Sequence, residues 1–168
     1  MLEALFNAAT ECFQQAHGPQ PPIVRAVAVS EFPSVSTEPV TVLTLGAFEL
    51  FHVGHVRLLQ RAAALGDRLI VGISADAYLR QTKGREPLQS EAERLEIVRS
   101  CRYVDDAFVN GLGPITETEI AARGADVLAL GDDWQGRYDH LSGVCRVVYL
   151  QRTPEVSTTW LREKLRLE

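Results

Sequence analysis

The chain has 168 residues, 46% of them apolar and 23% charged, with a net charge of −5 at neutral pH. That length suits one domain with a full core, and the negative balance argues against nucleic acid or an anionic membrane surface as a partner. Cys12, Cys101 and Cys145 have no paired spacing and fit reduced thiols in a cytosol, and no apolar run approaches the ~18 residues of a membrane-inserted span.

In chain order, residues 2–16 carry Leu2, Leu5, Phe6, Ala9, Cys12, Phe13 and Ala16, a helical stripe ended by Gly18 and the Pro-rich "PQPP". Glu3 and the absence of a basic start argue against a signal peptide, so a cytoplasmic protein is expected. Residues 19–39 are rich in Pro, Ser and Thr and read as a linker, with "IVRAVAV" as a short strand candidate inside it. This divides the chain into an N-terminal helical extension, 1–39, and a main domain, 40–168. Strands are expected at 40–45, 68–74, 103–109, 126–131 and 145–150, and helices at 54–65, 90–101, 115–123 and 158–167. Ser90 with Glu93 and Thr116 with Glu119 match capping boxes, while Gly66 and Gly124 stand at helix stops. Strands alternating with helices predict an α/β fold, a five-stranded parallel sheet with helices on both faces. Ligands of such sheets sit at the carboxyl ends of the strands, where the strand order reverses.

The segment "GAFELFHVGH", 46–55, falls at the carboxyl end of the first strand and opens a helix. A helix N-terminus offers free N–H groups and partial positive charge to an anion, and Gly46 and Gly54 permit close backbone approach. His52 and His55, three residues apart, can both donate N–H to one phosphate. Two other readings compete: a pair of core histidines satisfied by backbone, and a metal pair. The second lacks a third ligand nearby and the HExxH motif. Neither GxGxxG nor GxxxxGK[ST] occurs in this segment.

With "RYVDD" (102–106), "GDDWQGRYD" (131–139) and "RTPEVSTT" (152–159), the segment resembles the cytidylyltransferases of the HxGH nucleotidyltransferase superfamily. The motifs stand in family order across about residues 41–166; residues 1–39 fall outside the resemblance. The resemblance implies a Rossmann-like nucleotidyltransferase fold and transfer of CMP from CTP to a small phosphorylated alcohol. Glycerol 3-phosphate is the acceptor implied by the GDDW segment; choline phosphate, ethanolamine phosphate, a sugar phosphate, or ATP in place of CTP stay open. So does a catalytically inactive nucleotide-binding or partner-binding protein on the same scaffold. Mg²⁺ is expected to arrive with the nucleotide, with no metal ligand assigned to the protein, and a homodimer is expected because relatives commonly join near the RYVDE-like segment.

Carried over residue by residue, the resemblance gives catalytic roles to His52, His55, Lys83 and Arg152. It implies nucleotide contacts from Gly46, Ala47, Phe48, Gly54, Arg102, Asp133, Trp134, Ser157, Thr158 and Thr159. It implies acceptor contacts from Lys83, Arg85 and Arg94. From the residues alone, Ser157 reads as the N-cap of the last helix, and Arg94 and Arg102 read as surface or ion-pair arginines with Asp105 as a partner. Two positions depart from the family pattern. Ala47 replaces a hydroxyl residue, and Glu49 replaces the usual Asp, which leads one to expect that Glu49→Asp would hold or raise activity.

Overall fold

The near-continuous apolar run from Val42 to Leu45 is the pattern of a strand covered on both faces. It forms the centre of a parallel sheet in the computed structural model, which describes residues 38–165 apart from 112 and 155. The expected helix at 2–16, the linker up to 37 and the end of the last helix at 166–168 lie outside the described residues. The strands are β1 (Thr41–Gly46), β2 (Arg68–Ser74), β3 (Asp106–Asn110), β4 (Val127–Gly131) and β5 (Arg146–Leu150), in the spatial order β3-β2-β1-β4-β5. β1 pairs with β2 from Thr41 opposite Arg68 to Gly46 opposite Ile73, and with β4 from Val42 opposite Val127 to Thr44 opposite Ala129. The chain thus leaves β1 toward β2 and β3, then returns to the far side of β1 as β4. That reversal opens a crevice at the carboxyl ends of β1 and β4.

The helices are α1 (Val53–Ala63), α2 (Asp76–Lys83), α3 (Glu91–Arg99), α4 (Glu117–Ala122) and α5 (Thr158–Lys164). Alternate residues of each strand feed two cores. On one face Val42, Val71 and Ala129 pack with Leu59 and Ala62 of α1 and Val98 of α3. On the other, Leu43, Ile70, Leu128 and Leu130 pack with Ile120 of α4 and with Leu141. The five-stranded parallel sheet with helices on both faces is the architecture expected from the sequence.

Two local expectations are corrected, and one stretch without an expectation takes form. β3 begins at Asp106, not at 103. Tyr103 and Val104 are apolar because they pack on the core from a turn, and Asp105 closes that turn on β2 by accepting Leu69 N–H at 2.7 Å. Residues 81–83, outside every helix expected from the sequence, finish α2, which ends on Gly84 in the left-handed region at φ 65°. No cap side chain announces α2, because its cap comes from elsewhere. Asp76 N–H donates to Glu91 at 2.7 Å and Glu91 N–H donates to Asp76 at 3.1 Å, so α2 and α3 cap one another. Finally, β4 leads into two 3-10 turns, Asp132–Trp134 and Asp139–Gly143, which carry no periodic stripe to betray them.

Candidate active site

The turn from β1 into α1 is held in an unusual backbone path. Phe48 and Leu50 both lie in the left-handed region, at φ 51° and 49°, which a non-glycine residue adopts only when its surroundings insist. The surroundings do so from four sides. Phe48 is buried against the core. Arg94 donates to the carbonyl of Ala47, Leu50 N–H donates to Gln89 Oε1 at 2.7 Å, and Thr158 Oγ1 donates to the carbonyl of Glu49 at 3.1 Å.

His52 then caps α1. Its Nδ1 accepts Gly54 N–H at 3.1 Å, while His55 Nδ1 accepts His52 N–H at 3.3 Å. This is a capping box built from two imidazoles in place of a hydroxyl and a carboxylate. The rings stack with centroids 3.8 Å apart and 20° between planes. Gly54 is required here, since a Cβ on it would lie 2.8 Å from the His52 ring. Because each Nδ1 accepts a backbone N–H, each neutral ring carries its proton on Nε2. The reading as backbone-satisfied histidines is therefore correct for Nδ1, and it leaves Nε2–H as the remaining donor of each ring.

Burial, and then the charge around it, keeps the pair neutral. Burial first, then His52, Lys83 and Arg152, lower the His55 pKa to about 3. Burial and then Arg152 lower that of His52 as well. Two cations act on the histidines from elsewhere in the chain, Lys83 at the end of α2 and Arg152 in the segment after β5. Lys83 is exposed, yet the protein crowded around its side chain pushes its pKa down, with Glu49 pulling it back up and Arg85, Arg94 and Arg162 opposing. Arg152 is brought in by its backbone, whose N–H donates to Asp132 at 3.2 Å and ties the end of β5 to the end of β4.

The start of α5 meets the start of α1, with the carbonyl of Val156 3.6 Å from the Cβ position of Gly54. Ser157 is the N-cap, accepting Trp160 N–H at 3.0 Å, as its sequence position predicts. Thr159 is exposed beside it, and the Thr158 hydroxyl donates a hydrogen bond to the backbone carbonyl of Glu49. Asp133 and Trp134 sit on the 3-10 turn at the carboxyl end of β4. Trp134 lines a cleft of about 530 Å³ together with Tyr78, Ile115, Arg137, Tyr138 and His140.

Two assigned arginines are not where the resemblance places them. Arg94 is completely buried, and four of its five N–H groups are used internally, on Gln89, Ala47, Ser74 and Asp76. It pairs with Asp76 rather than Asp105, and it braces the turn instead of reaching an acceptor. Arg102 lies before β3, at the amino end of the sheet, with its guanidinium over the Tyr103 ring. Within one described chain it is at the opposite end of the strands from the histidines. Arg85 is half-buried and ion-paired to Glu49 at 3.3 Å.

Sequence reasoning missed Gln89, Arg162 and the bracing role of Arg94. All three act through contacts to residues far along the chain, for which spacing gives no signal. The capping box was visible in principle, as polar side chains at N-cap and N3, but histidine is not a usual member of that pattern.

A family model described as cytidylyltransferase-like matches residues 43–164. Glycerol-3-phosphate cytidylyltransferase of Bacillus subtilis is 40% identical over 124 residues, 74% of this chain and 95% of the relative. FAD synthase of Thermococcus kodakarensis is 30% identical over 136 residues, 75% of this chain and 91% of the relative. Among solved structures, the lipopolysaccharide core biosynthesis protein of Thermoplasma volcanium superposes with a TM-score of 0.59 at 25% identity, covering 69% of this chain and 98% of that one.

Proposed function

The chain belongs to the cytidylyltransferase-like family of nucleotidyltransferase enzymes, and on that premise we propose that it transfers CMP from CTP to glycerol 3-phosphate, giving CDP-glycerol and pyrophosphate. In this reading a phosphate oxygen of the acceptor attacks the α-phosphorus in line. The bond from that phosphorus to the β-phosphate oxygen breaks, and pyrophosphate leaves with the electron pair. The attacking phosphate is already an anion at neutral pH, so no general base is required. What remains is positioning and the neutralisation of charge on the α-phosphate and the bridging oxygen.

The observation that carries this reading is the pair of imidazoles whose Nδ1 atoms are occupied by backbone N–H groups. Such a ring is a fixed Nε2–H donor and a poor base, which suits in-line phosphoryl chemistry and not proton abstraction. The α1 N-terminus beneath them adds its own partial positive charge. Lys83 and Arg152 extend the cationic wall, with Arg85 placed for the acceptor side, and Ser157 and Thr159 stand ready for the distal phosphates. Gly46, Ala47 and Gly54 let the triphosphate approach the turn, and Asp133 and Trp134 border the room left for its organic part.

Mg²⁺ belongs to this scheme as part of the nucleotide substrate. Among the described residues no group of three or more His, Cys, Asp or Glu side chains gathers to hold an ion, and the buried carboxylate of Glu49 is committed to arginines. Pyrophosphate release is expected to require Mg²⁺ brought in by the nucleotide, which assays with and without the ion check.

The test is a panel in which CTP and ATP are each offered with glycerol 3-phosphate, choline phosphate, ethanolamine phosphate and sugar phosphates. ATP is included because of the likeness to FAD synthases. The reading expects the highest kcat/KM for CTP with glycerol 3-phosphate. A preference for ATP, or no turnover with any pair, would overturn it.

A further inference from the structure

Glu49 is a carboxylate buried to 1% exposure, in the middle of the strained turn that presents the histidines. Its Oε1 accepts Leu88 N–H at 2.8 Å and faces Arg162 at 3.2 Å, while Oε2 faces Arg85 at 3.3 Å. Its carbonyl accepts Thr158 Oγ1 at 3.1 Å. One residue of the turn is thus bonded both to the segment after α2 and to α5, whose Arg162 is also buried. Burial alone would raise the carboxyl's pKa; the Leu88 N–H and the two guanidinium groups outweigh it and hold Glu49 ionised.

A buried ion pair of this kind contributes little net stability compared with apolar side chains of the same volume, because desolvation offsets the attraction. What it does supply is geometry. The three segments it joins are those that bring Lys83 and Arg85, the histidines, and Ser157 to one place. They share few apolar contacts of their own, since the residues between 81 and 90 are mostly exposed and α5 has one buried residue, Arg162.

We propose that Glu49 is a positioning residue for the transfer reaction: its carboxylate fixes the histidine turn, the 83–88 segment and the last helix relative to one another, so that groups from three parts of the chain meet one polyphosphate. The proposal rests on the nucleotidyl-transfer reading for its kinetic consequence, and on the contacts alone for its structural one. Chain length is as important as charge. An aspartate would draw the carboxylate back by about 1.5 Å, one C–C bond, and could not keep Leu88, Arg85 and Arg162 together. This proposal runs against the expectation, drawn from the family pattern, that Glu49→Asp would hold or raise activity.

The experiment compares the full chain with Glu49→Asp and Glu49→Gln, by hydrogen exchange and by steady-state kinetics with CTP and glycerol 3-phosphate. Exchange should quicken together in residues 46–55, 84–89 and 157–164, with β2 and β4 unchanged. In both variants kcat should fall roughly ten- to a hundredfold, the scale of a misplacement near 1 Å, with KM for CTP altered less than kcat. Should Glu49→Gln fail to fold, Glu49→Asp is judged by the same criteria. A Glu49→Asp enzyme with kcat within twofold of wild type would overturn the proposal. So would exchange that rises uniformly across the sheet or only at residues 48–50. If the wild-type chain turns over neither CTP nor ATP, the functional reading fails separately, and the exchange pattern alone decides the role of Glu49.

Discussion

His52 and His55 fill the two side-chain positions of a capping box, and each does so with Nδ1. A serine and a glutamate would satisfy the helix equally well, but they would leave nothing facing outward. An imidazole has a second nitrogen, so one ring can cap the helix and, in the proposed transfer, still donate to a phosphate. His52→Ala and His55→Ala should each lower kcat about a hundred- to a thousandfold, equivalent to ~2.7–4 kcal/mol for the loss of one transition-state donor. CTP affinity, measured by calorimetry, should change far less. His52→Ala also removes an N-cap, which adds about 0.5–2 kcal/mol of lost stability visible in urea unfolding. Variants that lose that stability but keep normal kcat would return the histidines to a purely structural role.

At the scale of elements, α1 is stabilised by keeping its first-turn histidines neutral, and that makes it sensitive to acid. The folded-state pKa of His55 is lowered to about 3 from 6.5, so between those values the unfolded chain binds the extra proton. The contribution is complete above pH 6.5 and is lost as the pH falls through that window. His52 acts in the same direction. Urea unfolding at pH 7.5 and 5.5, above the range of the carboxylates, should show lower stability at 5.5. His55→Gln, which keeps a hydrogen-bonding side chain at N3, should reduce that difference; an unchanged difference would place the titration elsewhere. The same helix shows what was legible beforehand. Its apolar stripe and the strand before it fixed its position within two residues, because periodicity is a local signal. The two capping boxes at Ser90 and Thr116 were equally local and are present as expected. α2 was not legible, because a helix with one buried residue, Leu79, and a cap borrowed from Glu91 leaves no pattern in its own residues.

For the whole molecule, the order of motifs along the chain was enough to place the histidine turn, the β4 end and the start of α5 around one crevice, since a parallel sheet puts every such end on the same side. It was not enough for Arg94 and Arg102. Both lie in the right stretch of sequence, yet one is turned inward to Asp76 and the other precedes its strand at the wrong end of the sheet. Side-chain direction depends on tertiary packing, which spacing does not report. The stripe of Leu2, Leu5, Phe6, Cys12 and Phe13, outside the described residues, is too apolar to stay in water, and we expect it to add to a homodimer. Light scattering of the full chain should give twice the 18.6 kDa chain mass, and a monomer would refute this. The central claim, direct transfer by a site of fixed donors without a protein nucleophile, is tested most directly by following CTP labelled at the α-phosphorus through a single turnover with glycerol 3-phosphate. The account predicts that all of the transferred label appears in the CDP-glycerol product, with one pyrophosphate released per label and none on the denatured protein. Label bound covalently to the protein during turnover, or pyrophosphate released without label reaching the acceptor, would contradict it.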